Sequence, residues 1–134
     1  MRYRSLTLMT LLMTLSSAQA SEASDQLLQQ YREQGAGPFS AEAGKAIWYA
    51  TYPSTEAPQS RSCTDCHGAS PGDGGTHLRT GKAIAPMSPA VNPERLTDQK
   101  KIRKWLLRNC KWTLGRECSW QERGDLLIFL QHSR

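Results

Sequence analysis

The sequence predicts an all-α domain of four to five helices, and three observations lead to that prediction. Four stretches set apolar residues at helical spacing behind recognisable caps. No stretch alternates apolar and polar residues over the length of a strand. A single long segment, 68–93, holds five glycines between Gly68 and Gly81, then Pro86, Pro89 and Pro93, and reads as loop.

The elements follow in order. Arg2 and Arg4 precede an apolar run from Leu6 to Leu15, and Ala18-Gln19-Ala20 follows it. That is the pattern of a secretory leader with a small-residue cleavage site, so residues 1–20 read as a signal peptide and 21–134 as one mature domain. The run is too short to span a bilayer. The expected product is an exported, soluble, periplasmic protein with a thin core. Glu22 to Gln34 carries Leu27, Leu28 and Tyr31 at helical spacing and stops before Gly35 and Gly37. Ser40 caps a second helix, with Ala43, Ile47 and Ala50 on one face, Gly44 and Trp48 on an adjacent stripe, and Pro53 as its end. Thr97 is the expected cap of a third helix running to about Lys111. Ser119 and Glu122 form a capping box for a fourth, which carries Leu126, Leu127 and Leu130.

Residues 63–67 read Cys63-Thr64-Asp65-Cys66-His67. The C-x-x-C-H pattern is the attachment signature of a c-type haem. Two thiols three positions apart share one side of a helical turn and reach the porphyrin edge together, while His67 reaches the iron. A thioredoxin-like pair has no need of the histidine and sits in a βαβ unit. A zinc site needs two further ligands at similar spacing, and none stands in the sequence. One covalent haem c is therefore expected, bound by Cys63, Cys66 and His67.

The two remaining cysteines, Cys110 and Cys118, are expected to pair in an oxidising compartment. Loop-closure entropy assigns such a bond about 2.6 kcal/mol. The chain carries +5, unevenly: residues 21–78 hold a net −4 and residues 79–123 a net +7. Such asymmetry steers an acidic partner or simply marks a solvated helix face. The basic residues lack the aromatic interleaving of a nucleic-acid surface.

The iron's sixth ligand decides between electron transfer and ligand binding. Met87 lies in the loop Ile84-Ala85-Pro86-Met87-Ser88-Pro89, twenty residues past His67, and either ligates or packs. His77, flanked by Gly74, Gly75 and Thr76, is a second candidate, either as ligand or in a distal role. His132 reads as a charge at a helix C-terminus. Asn109 is the third. It shares a helix face with Ile102 and Leu106, where a buried amide needs a partner. A helix-end cap and a weak haem ligand are its two readings. Lys82, with Arg79, either pairs with the haem propionates or is solvated.

From the second helix to Leu130 the chain resembles the sphaeroides haem protein family, oxygen-binding class I cytochromes c. The stretches that carry the resemblance are Cys63-Thr64-Asp65-Cys66-His67-Gly68, Thr80-Gly81-Lys82 with Ile84-Ala85-Pro86, and Pro93-Glu94-Arg95 with Thr97-Asp98. Lys104-Trp105-Leu106, Arg108-Asn109-Cys110 and Gly115-Arg116-Glu117-Cys118 complete it. The resemblance implies a class I cytochrome c-like fold around one covalent haem, with His67 on one side of the iron and the Asn109 side chain on the other. It implies that the asparagine leaves on reduction and that O2 or NO then binds. It maps the family's disulfide onto Cys110 and Cys118. It further implies a dihaem cytochrome c and a membrane b-type cytochrome as electron donors, and leaves open oxidase or reductase activity toward O2, peroxide or NO. Gly44 and Trp48 opposite Leu126 and Phe129 fit the crossing of first and last helices in class I cytochromes, and equally ordinary core packing. The alternative is a plain electron carrier with permanent His67–Met87 or His67–His77 ligation.

Overall fold

The computed structural model describes residues 18–134, so the leader read at 1–20 lies outside the described residues apart from its last three. Five helices follow: α1 Ala18–Glu33, α2 Ala41–Tyr49, α3 Thr64–His67, α4 Gln99–Leu114 and α5 Trp120–His132. Among the described residues no helix is long and apolar enough to cross a membrane.

The expected N-terminal caps hold with one change, and α2 ends at Tyr49, four residues before the Pro53 expected to end it. Ser40 accepts from the Ala43 amide at the start of α2, and the Ser119–Glu122 capping box opens α5. The cap of α4 is Asp98 rather than Thr97. The Asp98 carboxylate accepts from the Lys100 and Lys101 amides, while the Thr97 hydroxyl donates to the Glu94 carbonyl. A carboxylate at this position also interacts favourably with the positive N-terminal end of the helix dipole, which a neutral hydroxyl does not. Helix α4 runs past Lys111 to Leu114 and ends on Gly115, whose φ of 72° suits glycine.

The Gly44–Trp48 stripe is the buried face of α2, and it crosses α5. A Cβ on Gly44 would stand 2.1 Å from the Asp125 carbonyl oxygen and 2.7 Å from the Phe129 Cβ, so only glycine permits this approach. The Trp48 and Phe129 rings lie 5.9 Å apart across the crossing. Helix α1 covers the other side of α5 through Leu27, Leu28 and Tyr31, with Tyr31 stacked on Trp120 at 5.5 Å. Leu27 and Leu127 are fully buried at the centre, each contributing about 1.5–3 kcal/mol relative to exposure. Cys110 and Cys118 are bonded, with Cα atoms 5.5 Å apart, and pin the turn from α4 to α5.

Two short antiparallel ladders interrupt what reads as loop: β1 Tyr52–Pro53 with β2 Ser60–Arg61, and β3 Gly75–Thr76 with β4 Ala83–Ile84. Two-residue strands are too short to show alternation, which is why periodicity misses them. The segment 68–93 is also tied to the chain's last residues. Ser88, fully buried, donates its hydroxyl to the Ser133 carbonyl at 2.6 Å, and Ser70 donates to the Arg134 carbonyl at 3.3 Å.

Candidate haem site

Helix α3 is one turn long, and side chains define its start. The Asp65 carboxylate accepts from the Ser62 amide at 2.7 Å, and the Ser62 hydroxyl accepts from the Thr64 amide at 3.3 Å. The Ser62 hydroxyl also reaches the Trp48 carbonyl at 3.3 Å, which fastens the motif to the end of α2. Gly68 ends the turn with φ 79°. Strand β3 lies directly on it: a Cβ on Gly75 would stand 1.9 Å from the Cys66 carbonyl oxygen. The fixed turn presents Cys63, Cys66 and His67 together.

Cys63 and Cys66 are both free thiols and half-buried. Burial pushes the Cys63 thiol up to about 11, so it stays protonated at neutral pH. A redox-active pair needs a depressed thiol, so this environment speaks against that reading. Among the described residues no group of three or more His, Cys, Asp or Glu is placed to hold a metal ion.

His67 packs against Trp48 with ring centroids 5.4 Å apart. Burial, with the Arg95 charge as the lesser cause, pushes its imidazole down to about 4. The ring is therefore neutral at pH 7, the form that binds a metal. Four buried side-chain polar atoms lack a hydrogen-bond partner among the described residues. Two of them, His67 Nδ1 and Trp48 Nε1, belong to this pair of rings. Free thiols at attachment spacing, a neutral imidazole beside them and unpartnered polar atoms around it fit a covalent haem.

The predicted distal residues fall in different settings. Asn109 is half-buried in the middle of α4, five residues before the helix end, so it is not a helix-end cap. Its amide makes no hydrogen bond among the described residues. Leu106, one turn before it, packs against both the main core cluster and the smaller one around Cys110, Cys118 and Leu126. Met87 packs against the same main cluster as Cys63 and Leu106, and its amide donates to the Pro71 carbonyl at 2.7 Å. His77 stands at the head of the turn joining β3 to β4, where its Nδ1 accepts from the Thr80 amide at 3.2 Å. Lys82 closes the same turn, exposed and without an ion pair among the described residues. His132 is exposed in the last turn of α5, with Nδ1 2.8 Å from the Ile128 carbonyl oxygen.

Two residues of the site carried no role in the sequence reading. Trp48 appeared only as part of a core stripe. Arg95 appeared only inside a matched stretch, yet its Nε donates to the Pro86 carbonyl at 2.9 Å and its Nη2 to the Ala85 carbonyl at 2.7 Å. It thereby clamps the backbone just before Met87 while its charge bears on His67. The Pro-rich segment 85–89, outside the β3–β4 ladder, is the signal that its carbonyls need a donor from elsewhere.

Residues 34–130 match the family described as Domain of unknown function (DUF1924). The chain is 42% identical over 105 residues to cytochrome c-type protein SHP of Cereibacter sphaeroides, covering 78% of this chain and 80% of that protein. It superimposes with a TM-score of 0.71 and 40% identity on oxidised SHP, described as an oxygen-binding cytochrome c, over 80% of this chain and 94% of that one. It also matches the solution structure of Methylophilus methylotrophus cytochrome c'', a study of the structural basis of haem-ligand detachment. There the TM-score is 0.69 at 27% identity, over 81% of this chain and 92% of the other. Sequence, motif and fold agree that the chain belongs to the sphaeroides haem protein family of c-type cytochromes.

Proposed function

We propose that residues 21–134 form an exported, periplasmic, single-haem cytochrome c that accepts electrons and then binds O2 or NO at a face gated by Asn109. A bound haem c supplies a one-electron couple and an iron face that takes small ligands. Cys63 and Cys66 would hold it covalently, and neutral His67, packed on Trp48, would ligate its iron. The observation that carries the reading is Asn109: a half-buried side-chain amide with no hydrogen-bond partner among the described residues, inside α4 and beside a disulfide-bonded cysteine. A neutral amide oxygen is a hard donor and suits ferric better than ferrous iron. Asn109 would therefore hold a ferric haem more firmly than a ferrous one, and once released its NH2 group could donate a hydrogen bond. Lys82 stands as a solvated candidate for the propionates. A dihaem cytochrome c fed by a membrane b-type cytochrome is the proposed donor chain, and activity toward O2, peroxide or NO would follow from the open face.

The test is Asn109→Ala, read as absorption spectra of oxidised and dithionite-reduced holoprotein, with and without carbon monoxide. The expected result is a wild type that is low-spin oxidised, high-spin reduced and shifted by carbon monoxide, with a variant already high-spin when oxidised. An oxidised variant spectrum identical to wild type would sink the ligation. The second reading, a His67–Met87 carrier, draws on the packing of Met87 against the cluster that also holds Cys63 and Leu106. It predicts a methionine–iron charge-transfer band and no carbon monoxide uptake.

A further inference from the structure

From the charges on α4 we infer that its outer face is the docking surface for an acidic electron-carrier protein; the inference rests on the electron-accepting reading above. Between Gln99 and Leu114 this 16-residue helix carries Lys100, Lys101, Arg103, Lys104, Arg108 and Lys111 and not one acid. Few of these charges are used within the protein. Lys111 pairs with Glu117 at 3.2 Å, and Arg103 hydrogen-bonds Gln30 and Gln99. Lys100, Lys101, Lys104 and Arg108 are exposed and form no ion pair among the described residues.

Helix stability does not account for them either. Lys100 and Lys101 sit in the first turn, where the macrodipole disfavours cations and where Asp98 alone supplies a negative charge. Exposed Trp105 lies among them. The Lys104 ammonium stands 5.6 Å and the Arg108 guanidinium 5.4 Å from its ring centroid, so each cation rests against an aromatic face. An aromatic residue beside arginine is the composition of an interface hot spot.

Unpaired cations call for an acidic surface, and the site lies close by: Trp105 and Arg108 are within one turn of Asn109. The exchange at this face would be one electron, lost by the carrier and gained by the haem, with no bond formed between the two proteins and, on the reading above, with Asn109 released. A lipid surface fits less well, because Ile102 and Leu106 are turned into the core and Trp105 is the one exposed large apolar side chain of α4 among the described residues.

The test uses the mature holoprotein and two reductants: reduced flavodoxin as an acidic carrier protein, and reduced lumiflavin as an uncharged small molecule. The wild-type rate with flavodoxin should fall at least about tenfold as salt rises from about 10 to about 200 mM. The triple variant Lys100→Glu, Lys101→Glu, Lys104→Glu should lose at least about tenfold at low salt with flavodoxin and nothing with lumiflavin. The corresponding triple Lys→Gln variant should fall between, and it guards against a misfolded charge reversal. A wild-type flavodoxin rate in the triple Glu variant overturns the proposal, and so does an equal loss with lumiflavin. If the Glu substitutions instead abolish only binding to phosphatidylglycerol vesicles, or only self-association, the face belongs to lipid or to a second copy. A holoprotein that neither reductant reduces overturns the electron-accepting reading itself.

Discussion

A histidine whose Nδ1 already accepts a backbone amide can offer Nε2 to a metal only by giving that bond up. With Thr80 donating to Nδ1, neutral His77 keeps its proton on Nε2 and is a donor there, not a ligand. His77→Ala should therefore leave the oxidised absorption and electron paramagnetic resonance spectra low-spin; conversion to high-spin would make His77 the ligand after all. Glu122 carries a second prediction at this scale. Its bidentate Arg116 partner, at 2.7 and 2.8 Å, is the main cause that holds its carboxyl down to about 2, with the Ser119 amide and hydroxyl adding to it. A folded-state pKa depressed below the usual 4.5 contributes stability that is full above 4.5 and disappears as pH falls toward 2. Glu122→Gln keeps a capping-box acceptor but loses the ion pair, and should cost roughly 0.5–1 kcal/mol at pH 7. Thermal melts should show the gap to wild type closing between pH 4.5 and 2. Asn109 and Glu122 are legible in sequence because each breaks or completes a local pattern. Arg95 is not, since its carbonyl acceptors lie nine and ten residues away along an aperiodic loop.

The helices show what local pattern can specify. Glycine stops, serine caps and the Gly44–Trp48 stripe all act within a few residues, and each lies in the structure where periodicity put it. The cap of α4 moved by one residue because Thr97 and Asp98 compete for the same role, and the stronger acceptor prevails. The ladders β1–β2 and β3–β4 depend on pairing across loops, which no two-residue pattern encodes. The first turn of α4 offers a prediction of its own. Lys100→Glu and Lys101→Glu reverse two charges that oppose the dipole and relieve repulsion from Lys104 and Arg108. Each should stabilise the protein by roughly 0.3–1 kcal/mol at low ionic strength. Urea midpoints should rise at low salt and return to wild type in about 1 M salt, where screening is nearly complete. Higher stability together with slower reduction by an acidic carrier would separate the helix's folding from its function.

Across the whole molecule, the element carrying Asn109 is held at both ends by different means. Its start is fixed by Asp98 and by the Gln30–Gln99 contact to α1, and its end by the bond from Cys110 to Cys118 at the head of α5. Charge also divides along the chain: residues 21–78, which hold His67, are net acidic, and residues 79–123, which hold Asn109, are net basic. A domain has about 5–15 kcal/mol of net stability, so one short cross-link matters. Closing a loop with a sequence separation of 8 contributes about 2.6 kcal/mol through the unfolded chain. Both cysteines are also buried against Leu126, so Cys110→Ala with Cys118→Ala removes some packing as well. The double variant should fold but lose about 2–4 kcal/mol, seen as an earlier urea midpoint. Because Cys110 follows Asn109 directly, the loosened helix end should also broaden the position of the amide. The oxidised spectrum should then turn partly high-spin in urea too dilute to unfold the helices by circular dichroism. Coincident spectral and circular-dichroism transitions, as sharp as in wild type, would mean that the disulfide stabilises the fold without positioning the ligand.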